Sequence, residues 1–253
     1  MSALLVVLTS VIAVAAAMRS TWSPCGLSML STITPIGERG RNHRYYSTAT
    51  WFVLGAVLGG ATLGLGMAVL AAAVATIDLS ATTALAATAV LAAVTIASDL
   101  RLGGFRLPSH TRQVNESWLD QFRSWVYGSG FGWQIGVGLA TYVTTAAVYL
   151  MIAMAALTGS PAVAFAIGTG FGLVRGLAVF VGRHLTTPER LFSLHRRLEE
   201  LLPTVQRAIV LVQALVLAVA AGAAWGPAVS VVLGVAVAVA AIVRQPRPAT
   251  RPA

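Results

Sequence analysis

The chain has 253 residues, 57 % of them apolar types and only 10 % charged, with a mean hydropathy of +0.80. A soluble domain carries about 25 % charged residues and at most about half apolar ones, so the excess here must be solvated by lipid. A soluble enzyme, a disordered chain and a disulfide scaffold are excluded. The net charge is +9 and all 17 cations are arginine, a composition of high-GC bacterial genomes that points to a bacterial inner membrane. The arginines fall in short stretches between apolar runs, so the charge reports topology rather than nucleic-acid binding. The bilayer is the first partner this composition requires.

Because every backbone polar group inside a bilayer must be satisfied within its own span, the expected class is an all-α polytopic membrane protein. Apolar runs of ~17–25 residues can cross the hydrocarbon core. In chain order they fall at 3–35, 49–75, 81–98, 129–157, 161–182, 205–225 and 227–243, about seven spans in one transmembrane domain over 1–243. The opening run has small residues like a signal peptide but no basic start; it is expected to be retained as the first span.

The bends at 76–80, at 158–160 and around Gly226 carry no arginine, whereas Arg39, Arg41 and Arg44, the loop from Arg101 to Arg123, the segment from Arg183 to Arg197, and the tail all do. These basic segments alternate with uncharged ones, which places the N-terminus outside and the C-terminus in the cytoplasm under the positive-inside rule. The tail 244–253, rich in Pro and Arg, reads as disordered. The stretches 113–127 and 188–202 each space apolar residues as an amphipathic helix at the membrane surface does; a docking role for them is the other reading.

The first run is too long for one crossing. Thirty-three residues at ~1.5 Å each would make about 50 Å of helix against a ~30 Å core. Ser23-Pro24 supplies the break, because proline lacks a donor and disfavours helix just before it. Either one kinked helix tilts through, or a crossing helix is followed by a re-entrant half-helix ending near Thr34-Pro35. Ser23, Pro24, Cys25, Ser28 and Thr32 would line a cavity beside this break, since irregular backbone is tolerated only where protein or water satisfies it. Alternatively, Cys25 is a small buried hydrophobe and the hydroxyls bond back to their own helix.

The fourth run repeats the theme, with Gln134, Gly138, Thr141 and Thr145 at helical spacing on one small or polar face. Arg175 lies inside the fifth run; its stem could snorkel to the interface, or its guanidinium could meet an anion or backbone in the core. Spans one to three and four to six each run as an interrupted polar helix, a Gly-rich helix and a plainer helix. That pattern suggests two inverted three-helix repeats, 3–98 and 129–225, with an extra C-terminal helix at 227–243. The Gly-rich members, 55–66 and 168–176, also suit close helix packing. The four histidines lie in cytoplasmic loops without ligand spacing, no carboxylate pair is visible inside the spans, and no phosphate loop or hydrolase triad occurs. Neither an enzyme, a metal nor a cofactor is expected.

Ser23-Pro24-Cys25 in the first span, Gly130-Phe131-Gly132-Trp133 opening the fourth, and the preceding RQVNESW stretch together resemble the cytochrome c biogenesis and disulfide-reductase membrane family, the CcdA/DsbD type within the LysE-like transporter superfamily. The likeness covers roughly the first six spans. It implies disulfide exchange between two membrane cysteines and thioredoxin-like partners. This chain departs from the pattern: Gln134-Ile135-Gly136 stands where the second cysteine motif would follow, and Cys25 is the single cysteine. A relay needs an attacking thiolate and a resolving one. The leading expectation is therefore a transporter-like protein moving a small solute, a sulfur compound among the candidates, through a cavity between spans one and four. The alternatives are a thiol-redox accessory protein using Cys25 with a thioredoxin-like or cytochrome c maturation partner, and a membrane scaffold. Assembly as a homo-oligomer is compatible with each.

Overall fold

The computed structural model describes residues 2–109 and 117–243; the basic tail at 244–253, the start of the 113–127 stretch, His110 and most of RQVNESW lie outside the described residues. The described residues form helices and no strand: α1 (Ala3–Ser20), α2 (Pro24–Thr32), α3 (Pro35–Gly40), α4 (Tyr45–Ala75), α5 (Ala81–Asp99), α6 (Trp118–Gln121), α7 (Ser124–Val137), α8 (Ala147–Leu157), α9 (Pro161–Leu177) continued by a 3-10 stretch (Ala178–His184), α10 (Pro188–Trp225) and α11 (Pro227–Val243). Among them α1, α4, α5, α9 with its extension, and α10 are long and apolar enough to cross a membrane. Their outer faces carry Val7, Leu58, Val69, Leu211 and Leu215, all more than half exposed. Water would oppose that arrangement and acyl chains favour it. The chain is a membrane protein.

Proline sets where the helices begin. Pro24, Pro35, Pro161, Pro188 and Pro227 each stand at a helix start, where a fixed φ is already helical and the missing N–H would have had no partner. Ser23 and Thr34 cap the first two, their hydroxyls accepting from Gly26 N at 3.1 Å and Gly37 N at 3.0 Å. The first run is thus resolved into a crossing helix, a turn at 21–23 and two short helices rather than one kinked rod.

Glycine sets how closely the helices approach. α4 lies between α7 and α9, and a Cβ on Gly172 of α9 would stand 2.6 Å from Gly60 Cα of α4. Gly132 and Gly136 of α7 meet the α4 backbone at Phe52 and Ala56 in the same way. Small residues give such close packing in lipid, where no hydrophobic drive pulls helices together. α1 packs on α8 and α9, while α10 packs on α5 and α11.

Three expectations are corrected. The run 129–157 is not one helix: α7 ends at Val137, and 138–146 is irregular before α8 begins. Gly138 ends α7 at φ +73°, and a Cβ there would stand 2.7 Å from the Phe171 ring. The stretch 113–127, where described, is not one amphipathic helix either, since Trp118 folds back to stack on Phe131 at 6.1 Å and α7 starts anew at Ser124. Finally, 188–202 does not lie apart from the sixth span. It forms one 38-residue helix with it, running straight through Pro203. The polar half of that helix docks on α2 and the turn before it: His195 Nε2 is 2.9 Å from Ser31 Oγ, and Trp22 Nε1 donates to Leu198 O at 2.9 Å.

Candidate functional site

The ten residues expected to line one path are not brought together; two places hold some of them, and Pro24 and Gln134 belong to neither. The first is a closed junction. Cys25 is buried at the start of α2, next to the Ser23 cap, and lies within electrostatic reach of Arg175 on α9. Arg175 is 3 % exposed; its Nη1 donates to Ile135 O at 2.6 Å and its guanidinium lies 5.5 Å from the Phe171 ring centroid. It therefore does not snorkel. A carbonyl at the C-terminal end of α7 carries the negative pole of that helix, and Arg175 satisfies it where the helix breaks. Gly138 adjoins the same guanidinium. Thr32 bonds back to Ser28 O at 2.9 Å, within its own helix. Pro24 is exposed, and Gln134 sits half-buried on α7 away from the cavity described next. At 2 % exposure, the Cys25 thiol is closed to a partner's thiol in this conformation.

The second place is a cavity of about 430 Å³ between α1, α5, the break at 138–146, α8 and α10. Its rim carries the exposed Arg101, Arg106 and Arg207; its walls reach buried Arg19, Ser98 and Thr145. Asp99 organises it. Oδ2 accepts from Thr145 Oγ1 at 2.6 Å and from Gln213 Nε2 at 2.8 Å, and Oδ1 accepts from Ala146 N at 2.7 Å. An acid at the C-terminal end of α5 opposes that helix's own dipole, and it is held there by the N-terminal end of α8, whose dipole favours it. The expectation concerned a carboxylate pair; a single carboxylate, Asp99, ties together α5, α8 and α10.

With Asp99 committed to three donors, other polar atoms go unmet. Among the described residues the buried side-chain atoms lacking a hydrogen-bond partner are Arg19 Nη1, Thr141 Oγ1, Thr144 Oγ1 and Gln213 Oε1. Thr141 and Thr144 belong to the break, Arg19 and Thr144 line the cavity, and Gln213 adjoins it through Asp99. Buried polar groups are normally paired, and two of these four atoms, Arg19 Nη1 and Thr144 Oγ1, belong to residues that line the cavity, where water or a bound polar group would meet them. Set against the single carboxylate, four arginines make it strongly electropositive.

Sequence reasoning missed Arg19, Asp99, Gln213 and Arg207. An acid at a helix C-terminus, and a charge and an amide within two apolar runs, were the available signals. It also missed Glu38, fully buried at the foot of α3, which accepts from Tyr127 Oη at 2.7 Å, from Thr48 Oγ1 and from Arg41 Nη1 at 3.0 Å. Glu38 ties α3, α4 and α7 together at the arginine-bearing end.

Comparison with known proteins gives a consistent name. Over 175 residues the chain is 34 % identical to methylamine utilization protein MauF of Paracoccus denitrificans, covering 67 % of this chain and 61 % of that one. It is similar to MauF. The Paracoccus versutus MauF is 31 % identical over 67 % of this chain and 62 % of its own length, and that of Methylophilus methylotrophus 32 % over 68 % and 60 %. The chain therefore spans about three fifths of the length of these relatives. No family model matches it, and no solved structure does.

The MauF likeness overturns the resemblance to the CcdA/DsbD type. The residues that carried it have local structural jobs: Ser-Pro-Cys is a capped helix start, repeated by Thr34-Pro35, while in Gly-Phe-Gly-Trp Gly132 packs on the α4 backbone, Trp133 donates to Thr62 of α4, and Gly130 and Phe131 meet Trp118.

Proposed function

We propose that this chain is a membrane-integral accessory protein of methylamine utilization that binds an anionic group in the cavity around Arg19. The observation that carries this reading is the pairing of the MauF likeness with a buried, unpaired Arg19 Nη1 in an arginine-rimmed cavity. Methylamine is a cation at neutral pH, and this cavity is a poor site for it. At an effective dielectric of about 20, one arginine ~5 Å away opposes a bound cation by about 3 kcal/mol. The lone Asp99 carboxylate, already accepting three hydrogen bonds, does not offset four such groups. An accessory role therefore fits better than uptake of methylamine itself.

In this reading the chain crosses a bacterial inner membrane seven times, N-terminus outside and C-terminus cytoplasmic, as two three-span halves of opposite sense plus α11. The packing of α4 on α9 and of α5 on α10 supports it, because these are the corresponding members of the two halves. The sidedness is supported by Ile36 N donating to Leu185 O at 3.3 Å, which joins two arginine-bearing segments at one end, and by the approach of Gly159 to Ala75 at the other. A second reading, passage of a small anionic solute through the cavity, is favoured by the broken backbone at 138–146, since discontinuous helices line substrate paths in transporters.

Deleting the coding sequence from its host should abolish growth on methylamine while leaving methylammonium uptake by cells unchanged. Normal growth, or loss of uptake, would overturn the proposal.

A further inference from the structure

The basic cavity has an apolar neighbour. A groove of about 330 Å³ runs beside it along α5 and α8, lined by Leu91, Val94, Leu150 and Ala153. The two spaces share Leu107, Pro108 and Tyr149 as a common wall, and Tyr149 Oη donates to Pro108 O at 2.6 Å, pinning the 105–109 segment between them. Val94, on the groove's α5 side, is 38 % exposed on a helix long and apolar enough to span the bilayer, so the groove meets acyl chains. One space thus offers cationic donors and the orphaned Thr144 hydroxyl, and the adjoining one offers almost only hydrocarbon contact.

We propose that the two spaces together bind an anionic lipid, its phosphate against Arg19, Thr144 and Arg207 and one acyl chain along Leu91, Val94, Leu150 and Ala153. A phosphate oxygen supplies the acceptor that Arg19 Nη1 lacks, and a guanidinium fork matches its geometry. Basic pockets between spans on the cytoplasmic side hold anionic headgroups for the same reason. A free phosphate or carboxylate would use the cavity alone and leave the groove idle; a zwitterionic lipid would bring its ammonium against the arginine rim. This inference rests on the anion-binding reading above and names the occupant of that same cavity.

The test uses the full chain purified in mixed micelles and examined by native mass spectrometry with phosphatidylglycerol, with phosphatidylcholine of the same chains, and with glycerol phosphate. One phosphatidylglycerol should be retained selectively per chain. Arg19→Gln should weaken it roughly tenfold or more, the loss of a charge-assisted contact, and Ala153→Phe should weaken it by filling the groove. Arg207→Gln, at the exposed rim, should weaken it less and keeps the test decisive if the buried variant does not fold. Equal retention of phosphatidylcholine, indifference to both arginine substitutions, or tight binding of glycerol phosphate that ignores Ala153→Phe would each overturn the lipid site. Those outcomes leave the methylamine role standing, whereas normal growth of the deleted strain would remove that role and leave the lipid result intact.

Discussion

Asp99→Ala is the sharpest structural perturbation available. The carboxylate accepts from Thr145 Oγ1, Gln213 Nε2 and Ala146 N, so its removal leaves three donors without their acceptor, two where the break meets α8 and one on α10. Interhelical hydrogen bonds in lipid average about 0.6 kcal/mol, and an ionised acceptor roughly doubles that. The two side-chain bonds therefore amount to about 2–3 kcal/mol. Loss of the acceptor at the start of α8 adds about 1 kcal/mol, the worth of a helix cap. Equilibrium unfolding in mixed micelles, followed by tryptophan fluorescence, should show a loss of about 3–4 kcal/mol. Gln213→Leu alone should cost about 1 kcal/mol, because Asp99 keeps its other two donors, and should add nothing on top of Asp99→Ala. A loss below about 1 kcal/mol for Asp99→Ala, or full additivity of the pair, would refute Asp99 as the tie between α5, α8 and α10.

Gly172→Leu should cost at least about 3 kcal/mol and broaden the size-exclusion profile, since α4 and α9 cannot part without losing their whole seam; Gly66→Ala, whose Cβ would meet nothing within 4 Å, should leave the profile unchanged. Gly138→Ala combines a positive φ with the Phe171 ring and should destabilise by about 2–4 kcal/mol in the same unfolding assay; a neutral outcome would mean that α7 does not end there. Cys25 should react with a maleimide only after denaturation, given its burial, and Cys25→Ser should leave growth on methylamine intact; fast labelling of the folded protein, or a growth defect, would restore a thiol mechanism.

The apolar runs were legible because lipid imposes a length on them, and the breaks at Ser23-Pro24 and Pro35 because proline leaves one place to stand in a helix. The break in the fourth run was harder to see. Gln134, Gly138, Thr141 and Thr145 keep helical spacing, and what ends α7 is the meeting of Gly138 with Phe171 and Arg175 from a helix more than thirty residues away. That contact has no local signature. Arg175 was marked as costly, but its acceptor, a carbonyl at a helix end, exists only once the break does. Asp99 stood at the edge of a run and read as loop; its partners Thr145 and Gln213 lie 46 and 114 residues further on. The stretch 188–202 is helical, but it is continuous with the run from 205, one helix passing through Pro203. Contacts from Trp22 and Ser31 hold the preceding turns helical regardless.

A break in the fourth run opens an electropositive cavity, and the proposed topology turns that cavity toward the cytoplasmic side. Thr144 lines it, so Thr144→Cys in a Cys25→Ser background reports on it directly. Inverted and right-side-out vesicles carrying that variant would be treated with anionic and cationic membrane-impermeant thiosulfonates. Modification should occur from the cytoplasmic face, and faster with the anionic reagent than with the cationic one. Modification from the outer face, or a preference for the cation, would contradict the account.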